Sequence, residues 1–262
     1  MPGPPPGCYG NALLNAARQS ANKLVIANWK MNGTRAIIRD LSALDRMAAT
    51  APEAPIICPP ATLIVTARAH FEHLRVGGQD CHACAAGAYT GSVSAALLAE
   101  AGASHVIVGH SEARQALAIN DAGVSARAQA SRAAGLTPIV CVGSAEESYS
   151  AQLDDQLCRS TDAIDDARFL IVAYEPLWAI GSGRPADPDH IGEVHARLRT
   201  RLTQERGWPG DHIRIVYGGS VTGRNAGAIL AQPEVDGVLV GGASLALDSF
   251  MPIVMASLPA VA

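Results

Sequence analysis

The stretch Ala173-Tyr174-Glu175-Pro176-Leu177-Trp178-Ala179-Ile180-Gly181-Ser182-Gly183-Arg184-Pro185-Ala186 decides how the chain is read. It follows the apolar run Phe169-Leu170-Ile171-Val172-Ala173, which reads as a buried strand. Glu175 stands just past that strand's expected end, and Pro176 fixes the backbone after it. An apolar tip, Leu177-Trp178-Ala179-Ile180, is then closed by Gly181, Gly183 and Pro185. Stiff ends around an apolar tip suit residues 176–186 to a lid, since closing it over the carboxylate would expel water. A plain surface loop with Trp178 packed on the core and Glu175 solvated is the competing reading, and the other strand ends decide between the two.

Outward from this stretch the same unit recurs eight times: an apolar strand, a polar or glycine-rich loop, an amphipathic helix. The strand candidates are Leu24–Trp29, Ile56–Cys58, Arg75–Gly78, His105–Gly109, Pro138–Val142, Phe169–Tyr174, Ile213–Tyr217 and Gly237–Val240. Helical patterning fills the intervals, as in Arg35–Ala49 and Asp189–Arg206. Alternation of this kind implies parallel pairing with right-handed crossovers. Eight units in about 240 residues fit one closed (β/α)8 barrel over residues 23–262. An open doubly wound sheet is disfavoured, because the first turn lacks a G-x-G-x-x-G fingerprint and polar residues follow many strands. Residues 1–22, with Pro2, Gly3, Pro4, Pro5, Pro6 and Gly7 and no apolar signal core, are expected to form a flexible extension.

In a closed barrel the strand ends converge on one rim. Strand 1 ends in Asn28-Trp29-Lys30, and period-two alternation puts Asn28 and Lys30 on one face. Strand 4 ends in Gly109-His110-Ser111-Glu112, where the N–H groups opening a helix favour a neutral imidazole at His110. A histidine in that place is also compatible with a hydrogen-bonded core residue. Strands 7 and 8 end in Tyr217-Gly218-Gly219-Ser220 and Val240-Gly241-Gly242-Ala243, paired glycine turns that let backbone amides approach an anion. The rim therefore holds Lys30, His110 and Glu175 with a phosphate cradle of Gly181, Ser220, Gly241 and Gly242. That set fits proton transfer on a small phosphorylated carbonyl compound: a carboxylate base takes a carbon-bound proton, while imidazole and ammonium stabilise the enediolate.

Composition narrows the alternatives. The 262 residues are 48% hydrophobic with a net charge of −4, giving no basic field for nucleic acid. No run approaches the ~18 apolar residues of a membrane span. Six cysteines without a disulfide framework point to a reducing, cytoplasmic compartment. Cys81-His82-Ala83-Cys84 has C-x-x-C spacing, but no second ligand pair accompanies it, so no metal is expected. No nucleotide motif is present and no cofactor is expected. Only Lys23 and Lys30 among the 20 basic residues are lysine, which marks Lys30 as a place where a compact ammonium is wanted.

The segments Asn28-Trp29-Lys30-Met31-Asn32, Gly109-His110-Ser111-Glu112, Ala173 to Gly181, Tyr217-Gly218-Gly219-Ser220-Val221 and Gly241-Gly242-Ala243-Ser244 resemble, in order, those of the triosephosphate isomerase family. The resemblance covers about residues 24–257. It implies interconversion of dihydroxyacetone phosphate and D-glyceraldehyde 3-phosphate without a cofactor, an acid–base system also used as a standard illustration of pKa tuning. It further implies Glu175 as base, His110 as neutral electrophile, Lys30 as electrostatic stabiliser, Asn28 as substrate anchor and Gly181, Ser220, Gly241 and Gly242 as phosphate holders. A paralogue acting on a four-carbon tetrulose phosphate and a non-catalytic phosphometabolite-binding barrel are the alternatives.

The resemblance also implies a homodimer in which the loop around Thr90 reaches the neighbouring subunit. Here the chain departs from the family. Ser92 and Ala113 stand where relatives carry a glutamate and an arginine that pair across the dimer, and Ile119 and Ser144 also replace glutamates. Losing both charged partners together leaves no orphaned charge, so the dimer is expected to persist with less electrostatic locking.

Overall fold

The computed structural model describes residues 22–179 and 186–259. The extension up to residue 21 and the lid tip 180–185, including Gly181, lie outside the described residues. Eight parallel strands close in sequence order: β1 (Leu24–Asn28), β2 (Ile56–Cys58), β3 (Arg75–Gly78), β4 (His105–Val108), β5 (Thr137–Ser144), β6 (Ile171–Pro176), β7 (Arg214–Tyr217) and β8 (Gly237–Val240). Between and after them run α1 (Arg35–Asp40), α2 (Ser42–Ala48), α3 (Ile64–His70), α4 (Ala95–Glu100), α5 (Ser111–Leu117), α6 (Asp121–Ala133), α7 (Ala151–Ser160), α8 (Pro188–Arg206), α9 (Ala226–Leu230) and α10 (Leu247–Ser257). The expected closed (β/α)8 barrel is thus the architecture observed.

Two cores follow from strand alternation. Leu24, Ile26, Ile56, Cys58, Ile107, Ile139, Cys141, Ile171, Ala173, Val216 and Leu239 fill the barrel interior. The intervening residues, such as Val25, Val106, Val140, Val172, Ile215 and Val238, face the helical layer. Both strand faces are buried, so the strands read as continuous apolar runs, as parallel sheets require.

Of the expected boundaries that move, those of β6 and of the helix after β1 have a clear local reason. The strand expected at Phe169–Tyr174 runs instead from Ile171 to Pro176. At its start Asp166 accepts a hydrogen bond from the Arg168 amide and caps a 3-10 turn at Ala167–Phe169. Phe169 stays at the surface under the Arg132 guanidinium, 4.0 Å from the ring centroid. At its end β6 is carried on by the long β5, which pairs Gly143 with Glu175 and Ser144 with Pro176. Glu175 therefore belongs to the strand rather than to the loop after it. The helix expected at Arg35–Ala49 breaks at Leu41, where the Ser42 hydroxyl donates back to the Arg39 carbonyl at 2.6 Å. Asp45 on α2 turns inward to accept the amides of Glu72, His73 and Leu74 at 3.1, 3.0 and 2.8 Å, tying the helix to the start of β3.

The seam between β8 and β1 leaves no room for a side chain at Gly237. Gly237 pairs with Leu24, and a side chain at Gly237 would overlap the Leu24 backbone. Gly237→Ala should destabilise the protein by about 2 kcal/mol or more, because neither backbone can withdraw without opening the barrel. Urea unfolding followed by circular dichroism measures it; an unchanged midpoint would show that the seam can relax.

Candidate active site

Continuing the inward parity of each strand by one more step places the functional side chains. Ile171 and Ala173 point into the barrel, so Glu175 does too; Leu24 and Ile26 do the same for Asn28, and Leu239 for Gly241. Glu175 is 1% and Asn28 5% exposed, at the floor of a cavity of about 350 Å³. Lys30, His110, Ser111, Glu112, Ser220, Gly241 and Gly242 line the same cavity. All the expected site residues among those described are brought together.

Lys30 arrives by a route that alternation does not supply. It lies beyond β1 in a left-handed conformation, φ 54°, and its amide donates to Asn28 Oδ1 at 3.0 Å. A lysine held there costs of order 1 kcal/mol relative to an ordinary conformation. Its Nζ donates to Glu112 Oε1 at 2.6 Å, and both side chains remain open to water. An ion pair so exposed is worth only about 0–1 kcal/mol and can be exchanged for another anion.

His110 caps α5. Its Nδ1 accepts the Glu112 amide at 3.3 Å, which puts the ring proton on Nε2. Nε2 lies 3.1 Å from Glu175 Oε1. A ring that accepts at Nδ1 agrees with the neutral imidazole expected at His110.

Glu175 is held from the opposite side by Ser111, whose hydroxyl donates to Oε1 and whose amide donates to Oε2, both at 3.0 Å. Burial raises its carboxyl above the usual range, while His110, the two Ser111 donors and Lys30 pull in the other direction. Gly218 makes room for it: a side chain there would stand 3.2 Å from the Tyr174 carbonyl and 3.3 Å from Glu175 Cγ.

The far wall is polypeptide backbone. Gly241 precedes a 3-10 turn at Gly242–Leu245, and its first amides have no partner within that turn. Across from it, Asn225 Nδ2 donates to the Ser220 carbonyl at 2.9 Å and fixes the loop after β7. A dianion would meet amides there, with the Lys30 ammonium close to Gly241. Ser111 and Glu112 are additions to the expected site. Their signal lay in the motif itself, because the first turn of a helix directs its N–H groups back at whatever precedes it.

A larger hollow of about 620 Å³ opens among α6, α7 and α8, lined by Asp121, Arg159, Asp162, Glu205 and Arg206. Asp121, Asp162 and Glu205 are already paired with Arg114, Arg206 and Arg201, so the hollow offers no free charge of one sign. The C-x-x-C cysteines do not form a joint site. Cys81 is buried, with Sγ 3.4 Å from Ser131 Oγ, while Cys84 is exposed, with Sγ 3.3 Å from the Tyr89 hydroxyl.

A buried carboxylate beside an imidazole, with a backbone cradle at the carboxyl ends of barrel strands, is an arrangement suited to acid–base chemistry on a small anionic substrate. The sequence profile of triosephosphate isomerase matches residues 23–257. The triosephosphate isomerase of Dinoroseobacter shibae is 47% identical over 242 residues, covering 89% of this chain and 98% of its own. That of Ruegeria pomeroyi is 46% identical over 243 residues, covering 89% and 96%. The crystal structure of triosephosphate isomerase from Bartonella henselae superposes with a TM-score of 0.81 at 39% identity, over 90% of this chain and 99% of that one. The chain belongs to the triosephosphate isomerase family.

The raised carboxyl of Glu175 has a consequence for stability. Between its unfolded and folded pKa values the native state binds more protons than the unfolded one, so stability falls as pH rises through that window. Glu175→Gln removes the buried charge and should raise Tm at pH 7, with the gain shrinking toward pH 4. Thermal unfolding at the two pH values checks the sign; a lower Tm for the variant at pH 7 would refute it.

Proposed function

We propose that this chain interconverts dihydroxyacetone phosphate and D-glyceraldehyde 3-phosphate, with Glu175, His110 and Lys30 as catalytic residues. It is an aldose–ketose isomerase of its family, and its relatives favour neither the tetrulose phosphate paralogue nor a non-catalytic barrel. The observation that carries the residue assignments is the meeting of a buried Glu175 carboxylate and the His110 Nε2–H, 3.1 Å apart, opposite the amides of the β7 and β8 loops.

The chemistry follows from these positions. Glu175 takes the proton from the carbon next to the carbonyl, and the electron pair moves onto the carbonyl oxygen. The His110 Nε2–H and the Lys30 ammonium meet that developing charge, and His110 shuttles a proton between the two oxygens. Glu175 then returns its proton to the neighbouring carbon, completing an isomerisation that is balanced without a cofactor. To act, the carboxylate must release Ser111 and Lys30 must exchange Glu112 for substrate. Asn28 fixes the substrate oxygens, and Ser220, Gly241 and Gly242, with Gly181, hold the phosphate.

The proposal includes a homodimer through the loop around Thr90. Supporting it, Thr90 and Ser92 are exposed, and Met31, directly after Lys30, is an apolar side chain 96% exposed. Ile119 is buried in the core and Ser144 spans the Glu146 backbone, which accounts for two of the departures from the family as local repacking. It also places the protein in the cytoplasm, consistent with free thiols at Cys58, Cys81, Cys84, Cys141 and Cys158.

Two measurements test this. Steady-state kinetics on D-glyceraldehyde 3-phosphate should give a kcat/KM approaching ~10⁸ M⁻¹s⁻¹, far above that on a tetrulose phosphate, and Glu175→Gln should lower kcat about 10³-fold or more with KM nearly unchanged. An equally active variant would remove Glu175 from the mechanism. Sedimentation should show a dimer at micromolar concentration whose dissociation constant moves less than about threefold between about 0.05 and 0.5 M salt; a monomer would overturn the dimer.

A further inference from the structure

We propose that Arg114 is a positioning residue that sets the His110–Glu175 geometry through the Gly109 carbonyl and the mouth end of β5. The inference rests on the catalytic assignments above. Arg114 lies one turn into α5, and its side chain is only 15% exposed. Every guanidinium nitrogen is used. Nε donates to the Gly109 carbonyl at 2.8 Å, and Nη1 donates to Asp121 Oδ1 at 2.7 Å. Nη2 donates to the Cys141 carbonyl at 3.2 Å and to Ser160 Oγ at 2.9 Å. The fully buried Ser160 hydroxyl in turn donates to Asp121 Oδ1 at 3.2 Å. One planar cation thus ties together the end of β4, the mouth of β5, the start of α6 and the end of α7.

Two of these ties bear on the reacting groups. The Gly109 carbonyl belongs to the planar peptide that also contains the His110 nitrogen, so holding one orients the other. The Arg114 amide donates to the His110 carbonyl at 2.9 Å, so His110 is gripped on both sides by the same residue. Cys141 pairs with Ala173, two positions before Glu175 on the same inward face. The clamp therefore spans the turn that carries His110 and the strand that flanks Glu175. Ser111, which supplies two donors to Glu175, sits on the clamped turn.

A merely structural anchor and a positioning residue differ in what they leave behind. If the clamp goes, the His110–Ser111 turn drifts and Glu175 loses donors while remaining buried. The charged or titratable groups facing Glu175 are His110, Lys30 and the Cys141 thiol from the neighbouring strands. Of the groups that hold the carboxyl down, His110 and Ser111 sit on the clamped turn, so losing the clamp drives the carboxyl higher and makes it harder to ionise. An anchor that affects stability alone would lower Tm and leave the pH profile in place.

The test is Arg114→Met, with pH profiles of kcat and kcat/KM on D-glyceraldehyde 3-phosphate. We expect kcat to fall about 10- to 100-fold, KM to stay within about threefold, and the acid limb of kcat/KM to move to higher pH. Folded variant with parental kcat and a parental acid limb would overturn the proposal. If Arg114→Met does not fold, Asp121→Asn decides, since it keeps the guanidinium and removes only its charged anchor: a smaller shift in the same direction supports the proposal, and an unmoved profile overturns it. Glu175→Gln assayed in parallel separates the two levels. An active Glu175→Gln defeats the underlying catalytic assignment, whereas a dead one beside an unaffected Arg114→Met defeats only the role of Arg114.

Discussion

A side chain on a strand buried on both faces has two directions available, and closing eight such strands into a ring makes the choice common to all of them. That constraint organises this protein. Ile, Leu, Val, Ala and Cys fill the middle of the barrel, while the register puts the polar Arg75, His105, Thr137 and Arg214 at its amino-terminal end. At the next inward position along β1, β6 and β8 the sequence changes to Asn28, Glu175 and Gly241. The base of the site is thereby the apolar core itself, and polar chemistry begins where the core stops.

The electrostatics of Glu175 follow from standing on that floor. Apolar side chains beneath it offer nothing to its oxygens, so burial raises its carboxyl, and every compensating donor comes from one neighbouring turn. That turn is the start of α5, whose amides also take up His110 Nδ1. One helix N-terminus therefore fixes the tautomer of the imidazole and the resting place of the carboxylate together. Lys30 stands apart from this economy of donors. It is brought to the cavity by a left-handed residue and is tethered only to a solvent-exposed glutamate.

Much of this was legible in the sequence. Strand positions are legible because both faces are largely apolar, and the site is legible because distinctive polar and glycine-rich stretches follow the carboxyl ends of the strands. What escaped reading depended on partners distant in sequence. β6 reaches Glu175 and Pro176 because β5 is long, a fact about pairing that β6 itself does not encode. Alternation alone does not bring Lys30 to the cavity, since it ends at Asn28 and a positive φ does the rest. Ser111 and Glu112 were visible in the motif but carried no role until their amides had something to face. Arg114 looks like any surface arginine of an amphipathic helix, and its four acceptors come from residues 109, 121, 141 and 160. Gly181 and the lid tip lie outside the described residues, so the structure adds nothing to their reading.

The parity of the strands also sets which changes of chain length this lineage can tolerate. Inserting or deleting a single codon between Ile171 and Glu175 would exchange the two faces of β6, turning the carboxylate toward the helical layer and an apolar residue into the cavity. The same event at the exposed residues 145–148, between β5 and α7, would be absorbed outside both cores. Substitutions can explore the barrel one side chain at a time, but changes of length inside β6 are in effect all or nothing. Divergence in length is therefore expected to accumulate in the connections and to leave the strand that carries Glu175 at constant spacing.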